Sequence, residues 1–176
     1  MTGTDANLDV VVRFLNTLDE RTFTWRRSKH VKNDGLTSIE ALSAWFEAHG
    51  LRTTEQELRP ADLAAARSLR DALRDALTDG KGAAQALVGF PLRLEPDASG
   101  RVRIAGASGV AGLDFVLETV ALSVGSGALR RLKLCVSPDC RWAYFDTSRS
   151  GTSRWCVMEA CGNRNKTRAY RERHAD

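Results

Sequence analysis

Four cysteines dominate the chemistry this chain can do. They fall as Cys135-x4-Cys140-x15-Cys156-x4-Cys161, two pairs of equal spacing about one hairpin apart. Each short pair lets one local turn present two sulfurs, and bringing the turns together closes a tetrahedral all-sulfur shell. Zinc favours such a shell and hard cations do not. Two disulfides are the competing reading, disfavoured because residues 1–9 carry no basic n-region and no apolar run to export the chain. A redox pair of the C-x-x-C type does not fit the four-residue gaps. Four cysteine ligands leave no open position on the metal, so the expectation is one structural Zn2+ and no catalysis. A module of roughly 48 residues has little core of its own, whereas structural zinc contributes on the order of 10 kcal/mol to folding.

The second constellation is basic. Residues 129–176 carry a net charge of +6, while the preceding 128 residues carry −2. After Cys161 the run GNRNKTRAYRERH contains no proline and predicts a helix over 163–173. Arg164, Arg168 and Arg171 then share one face, flanked by Lys166 and Arg173. Such a helix suits a polyanion, with some guanidinium groups on phosphate and others on guanine edges. The alternative is a solvated helix whose arginines balance the thiolate shell. Arg141, Arg154 and Arg164, each near a cysteine, could do that balancing. Asn163 suits an N-cap better than an adenine contact. Trp142, Tyr144 and Trp155 could stack on unpaired bases, but the small core around a zinc site is the better expectation for them.

These residues need elements to hold them. Arg141–Asp146 and Thr152–Trp155 read as two strands joined by the turn Thr147–Gly151, which with the two cysteine knuckles and the helix describes a treble-clef-like finger over residues 129–176. Ahead of it, residues 1–128 read as a mainly helical α+β domain. Leu8, Val11, Val12, Leu15 and Leu18 mark a first helix over 8–18. Thr37-Ser38-Ile39-Glu40 has capping-box form and opens a second helix that stops at Gly50. Pro60 opens the longest helix, whose period runs to Gly80 with arginines and aspartates on the far side. Residues 91–105 alternate around Pro96–Gly100 and predict a β-hairpin burying Leu92, Leu94, Val102 and Ile104. A last helix over 113–124 ends in Gly125-Ser126-Gly127, the expected hinge into the finger.

The remaining polar residues of this first domain give weaker signals. Thr22–Gly35 reads as a loop in which Trp25, Arg26, Arg27 and His30 could bind an anion. Asn16 and Thr17 interrupt the apolar face of the first helix and are candidates for a ligand pocket. Neither His30 nor His49 has a neighbouring acid or nucleophile in the sequence, and no phosphate loop or dinucleotide glycine motif is present. With 43% hydrophobic and 27% charged residues the chain can bury a core. Its longest apolar stretch, Leu113–Leu122, contains Asp114 and Glu118 and is too short to span a membrane, so a cytoplasmic location is expected.

Cys161-Gly162-Asn163-Arg164, preceded by Trp155-Cys156 and followed by Lys166-x-Arg168-x-Tyr170-Arg171, resembles the CGNR zinc finger, a bacterial family. CVSPDCRWAYFDTSRSGTSRWC upstream matches its pattern as well. In that family the finger follows an ABATE domain, described as part of stress-induced transcription regulators. Phe14-Leu15-Asn16-Thr17, the hairpin and the final helix before the finger are similar to that arrangement. The resemblance implies bound zinc and DNA binding. The expected function is therefore transcription regulation through the C-terminal basic helix, with the N-terminal domain sensing a small molecule. RNA or an acidic protein are the alternative partners. A homodimer on two half-sites would suit a single finger, which offers few contacts by itself.

Overall fold

The structure is a computed structural model that describes residues 3–51, 57–78 and 87–174. Helix α1 (Gly3–Leu15) buries Leu8, Val11, Phe14 and Leu15. It ends three residues before the expected boundary, because Leu18 leaves the helix to start strand β1 (Leu18–Asp19), which pairs antiparallel with β4 (Asn33–Asp34). Between them, β2 (Thr24–Trp25) and β3 (Ser28–Lys29) form a second small ladder, so the expected loop over 22–35 is a pair of nested hairpins.

Helix α2 (Ile39–Ala48) is capped by Ser38, whose Oγ accepts from the Ala41 N–H at 3.2 Å. Gly50, at a φ of 66°, ends it by taking the left-handed conformation that side chains resist. Helix α3 (Pro60–Ala76) has the expected proline start. Its expected stop at Gly80 lies outside the described residues. Ala66, Leu69 and Leu73 face the core as predicted, but Arg70 and Arg74 are also buried, each 2% exposed, and do not lie on a solvated far side. Arg70 grips the Asp34 carboxylate with two nitrogens, at 2.6 and 2.9 Å. Arg74 donates to the carbonyls of Leu15, at 2.8 Å, and Arg141, at 2.9 Å, and meets Glu20. Two long side chains of α3 thus hold the nested hairpins in place, and burial of their charge is compensated by a bidentate carboxylate for Arg70 and by one carboxylate oxygen and two carbonyls for Arg74.

Strands β5 (Leu92–Pro96) and β6 (Val102–Gly106) form the predicted hairpin, with Leu94 opposite Ile104. The buried face is not the predicted one. Leu94 and Val102 are 72% and 75% exposed, and Ala105 is buried instead. Arg103 turns toward helix α4 (Ala111–Ser126), where it meets Glu118 at 3.3 Å, and Glu118 also accepts from the Gly106 N–H at 2.9 Å. These ties fix the hairpin by its polar side. The Phe46 ring of α2 rests on α4 at Gly112, where a Cβ would collide with it.

The expected hinge is a helix cap. Gly125 and Ser126 belong to α4, and Gly127, at a φ of 75°, terminates it. One 3-10 turn (Ala128–Arg131) then leads directly into β7 (Leu132–Leu134), which pairs with β8 (Ala143–Phe145). Leu132, Leu134 and Ala143 join the same core as Phe14, Leu69 and Leu113. The chain is α+β throughout, and among the described residues no helix is long and apolar enough to cross a membrane.

Candidate metal centre and basic helix

Strand β7 delivers Cys135 to a tight knuckle in which the Cys140 N–H donates to the Ser137 carbonyl at 2.9 Å. Arg141 leaves the knuckle at a φ of 50° and starts the return along β8. The partner of β8 is therefore β7, and Thr152–Trp155, expected as its partner, form no ladder. Lys133 and Asp146 hold that region instead. Lys133 Nζ reaches Asp146 Oδ2 at 2.7 Å and the Gly151 carbonyl at 2.6 Å. Asp146, 1% exposed, accepts from the N–H groups of Ser148, at 3.0 Å, and Ser153, at 2.8 Å. The Lys133 ammonium, with these donors, holds the Asp146 carboxyl well below the usual carboxylate range. The segment 146–153 is wound round one ion pair, and strand pairing is not needed to order it.

The second cysteine pair is carried by Cys156 and by a single π turn (Met158–Gly162), which runs without interruption into helix α5 (Asn163–Arg173). The helix bounds agree with the sequence prediction. Asn163 is not its N-cap, since the preceding turn is already helical and leaves no free end to cap. Gly162 has no room for a Cβ beside Met158 and Trp155.

All four sulfurs lie within 4.8 Å of one another, with Cys140 to Cys156 at 3.7 Å and Cys156 to Cys161 at 3.8 Å. A tetrahedron with Zn–S bonds of about 2.3 Å has edges of about 3.8 Å, so these two pairs stand at the separation zinc requires and the whole set is close to it. Cys135, Cys140 and Cys161 are buried and Cys156 is partly exposed. Held this close, the thiols do not ionise independently. Hydrogen bonds from Cys140 and Cys156 draw Cys135 far down, and its bond to Cys135 drives Cys140 up. A divalent cation reverses this balance by stabilising every thiolate at once. The site thus fits one structural Zn2+ held by Cys135, Cys140, Cys156 and Cys161.

Trp142, Tyr144 and Trp155 pack round the sulfurs, as the core reading of those aromatics expects. What the sequence did not reveal is that Phe23 and Trp25, from the nested hairpins, complete this cover. Phe23 is buried, and the Arg164 guanidinium lies 3.7 Å over its ring. Arg164 also pairs with Asp139 at 2.8 Å and comes within 3.8 Å of Cys161 Sγ. It is a brace between metal centre, knuckle and N-terminal hairpin, and it also lines a surface groove with Arg168 and Arg171. Of the three arginines expected to offset the thiolates, it alone touches one. Arg141 pairs with Glu20 at 3.1 Å, and Arg154 is exposed beside the Trp155 ring. Asn165, unnoticed in the sequence, ties α5 down by donating to Ser137 Oγ and to the Cys161 carbonyl, both at 2.8 Å.

Lys166, Arg168, Arg171 and Arg173 are all exposed, and α5 has no buried residue. Arg168 meets the Asn165 side chain, and no ion pair engages Lys166, Arg171 or Arg173 among the described residues. At about 100° per residue, Lys166 and Arg173 stand on the side of the helix opposite Arg168 and Arg171.

Asn16 and Thr17 turn their polar groups onto neighbouring parts of the protein. The Cys135 N–H donates to the Trp142 carbonyl at 2.9 Å, so in the alternating antiparallel ladder the N–H and C=O of Ala143 face away from β7. Asn16 takes both, donating to the Ala143 carbonyl at 2.9 Å and accepting from its N–H at 2.8 Å. The Thr17 hydroxyl donates to the Phe14 carbonyl at 2.7 Å and accepts from Arg70 at 3.3 Å. Asn16 thus joins the two halves of the molecule, while the Thr17 bonds stay within the N-terminal part.

Comparison with protein families agrees with this geometry. Residues 131–174 match the CGNR zinc finger, and residues 8–124 match ABATE, described as "Putative stress-induced transcription regulator". No curated relative matches the chain. Within the motif that names the finger, Cys161 is a ligand, Gly162 allows close packing and Arg164 is the brace described above. The chain belongs to the ABATE family, and its C-terminal quarter is a CGNR zinc finger that holds structural zinc.

Proposed function

We propose that the protein is a transcription regulator that binds duplex DNA through α5. The observation that carries this reading is an eleven-residue helix with no buried face, anchored at one end by the metal centre and bearing four exposed cations. So short and polar a helix is marginal without tertiary support. Zinc, Asn165 and Arg164 fix its first turn, and the rest stands free for a partner. Cations on opposite sides suit a major groove, where a helix has a phosphate strand on each flank. The complete sulfur shell gives the metal no open position, so the reading is of a protein without catalysis.

The test is binding of zinc-loaded full-length protein to duplex DNA across a salt series. Four phosphate contacts from α5 contribute about −3.6 to the slope of log affinity against log salt. Replacing Lys166, Arg168, Arg171 and Arg173 together by alanine is expected to remove that contribution while zinc content and helical signal persist. An unchanged slope overturns the reading. Preferential capture of RNA or of an acidic protein over duplex DNA does so as well.

A further inference from the structure

The nested hairpin between β2 and β3 turns on Arg26 and Arg27, at φ of 47° and 66°. A two-residue hairpin turn with both residues left-handed is the type for which Asn-Gly is the favoured pair, because bulkier side chains strain it. Two arginines are among the less suitable choices, and within the hairpin Arg26 gains only a stacking contact, its guanidinium 4.6 Å over the Trp25 ring. Arg26 also reaches Glu159 at 2.9 Å while its side chain is 72% exposed, and Arg27 is exposed. Backbone strain held by a well-anchored surrounding is a mark of sites selected for what they touch.

The anchoring is specific. Phe23, immediately before β2, lies under Arg164 of α5, and the Thr22 N–H donates to the Asp139 carbonyl of the cysteine knuckle at 3.0 Å. Arg26 meets Glu159 on the π turn that leads into α5. The hairpin tip is therefore fixed beside the start of α5, although about 130 residues separate them in sequence. Residues 21–32 contain Arg21, Arg26, Arg27, Lys29 and Lys32 and no acid. Lys29 and Lys32 are exposed like the tip. Two like-charged elements held side by side repel each other unless a polyanion lies across both.

We propose that the DNA-binding surface is composite, with Arg26 and Arg27 gripping the phosphate backbone of the duplex next to the stretch occupied by α5. This rests on the DNA reading above and adds to it a binding element from the ABATE part of the chain. Phosphate contacts set position and affinity without reading sequence, so their loss weakens all duplexes alike.

The experiment replaces Arg26→Asn and Arg27→Gly together in the zinc-loaded full-length protein. That pair removes both charges and gives the turn its favoured residues, so the hairpin is preserved. Two lost phosphate contacts make the salt slope shallower by about 1.8 and weaken binding roughly 30-fold at 0.15 M salt. A control, Arg93→Ala with Arg101→Ala on the β5–β6 hairpin, removes the same net charge and is expected to leave binding unchanged. Glu159→Gln, which releases Arg26 from its carboxylate, is expected to strengthen binding. Equal losses in the hairpin variant and the control overturn the proposal in favour of net charge alone. An unchanged hairpin variant, alongside a loss on alanine replacement in α5, overturns it and leaves the DNA reading standing. Failure of the unsubstituted protein to bind duplex DNA removes both.

Discussion

Asn16 offers the sharpest test of how finger and helical domain are joined. Its amide occupies the outer edge of β8 as a neighbouring strand would, satisfying both backbone groups of Ala143, a residue with no exposed surface. Asn16→Ala leaves a buried N–H and a buried C=O without partners. At roughly 1–2 kcal/mol for each, with some relief because Asn16 is only partly buried, the loss is about 2–4 kcal/mol. For a chain of this size that lowers the melting midpoint by about 10 °C. Asn16→Asp is expected to be worse at neutral pH, since a carboxylate can still accept from the Ala143 N–H but confronts its carbonyl without a donor. The assay follows far-ultraviolet circular dichroism, dominated by α1–α4, together with release of zinc to a coloured chelator in the same heating run. Because Leu132, Leu134 and Ala143 lie in the core with Phe14 and Leu69, both signals should move down together. Earlier zinc release with an unshifted helical transition would refute the reasoning, because the finger would then be a separable unit hung on the helical domain.

Other perturbations read the remaining joints. Cys161→Ser removes one of four ligands and is expected to reduce bound zinc well below one equivalent, measured by metal analysis, with loss of the α5 helical signal. Arg74→Met removes one of the two arginines that meet Glu20 and frees the carbonyls of Leu15 and Arg141, at a cost of about 2–4 kcal/mol in denaturant unfolding. Asp146→Asn removes the charge that holds Lys133 and the 146–153 segment, costing about 2–3 kcal/mol. The folded Asp146 carboxyl is held below its ordinary value, so its stabilisation is fully present above the unfolded pKa near 3.9 and is lost only as pH falls through the folded one. The stability difference between the unsubstituted chain and Asp146→Asn is therefore expected to stay flat from about pH 5 to 8. A decline inside that window would refute the assignment.

The metal centre was legible in the sequence because its ligands come in two local pairs, and local spacing survives without knowledge of the fold. The bounds of α5 were legible for the same reason. Strand pairing in the finger was not. Arg141–Asp146 and Thr152–Trp155 both look extended, and only the Lys133–Asp146 pair, whose strength comes from burial, shows that the second segment wraps and does not pair. The β5–β6 hairpin illustrates another limit. Alternation gives the period of a strand but not which face is buried, and here Glu95 and Glu118 neutralise Arg103 so well that the charged side faces α4. Arg70 and Arg74 were misplaced because their partners, Asp34, Glu20 and the Arg141 carbonyl, are remote in sequence. Phe23 was overlooked as one apolar residue in a basic stretch.

The same long-range contacts answer how so small a finger is kept folded. Its sulfurs are covered by Trp142, Tyr144 and Trp155 from the finger itself, but also by Phe23 and Trp25 from the other end of the chain. Its hairpin shares the core of the helical domain, its knuckle receives the Thr22 N–H, and its first return residue is held by Arg74. Zinc affinity is therefore coupled to the stability of a fold far larger than the finger, since a ligand that binds only the folded chain stabilises whatever folds with it. If that coupling holds, removing zinc should lower the melting midpoint of α1–α4 as well as that of α5. By the same linkage, Arg74→Met should weaken zinc binding although Arg74 touches no sulfur. A zinc affinity unchanged by Arg74→Met, in a protein whose helical domain it destabilises, would show that the shared core does not transmit stability to the metal.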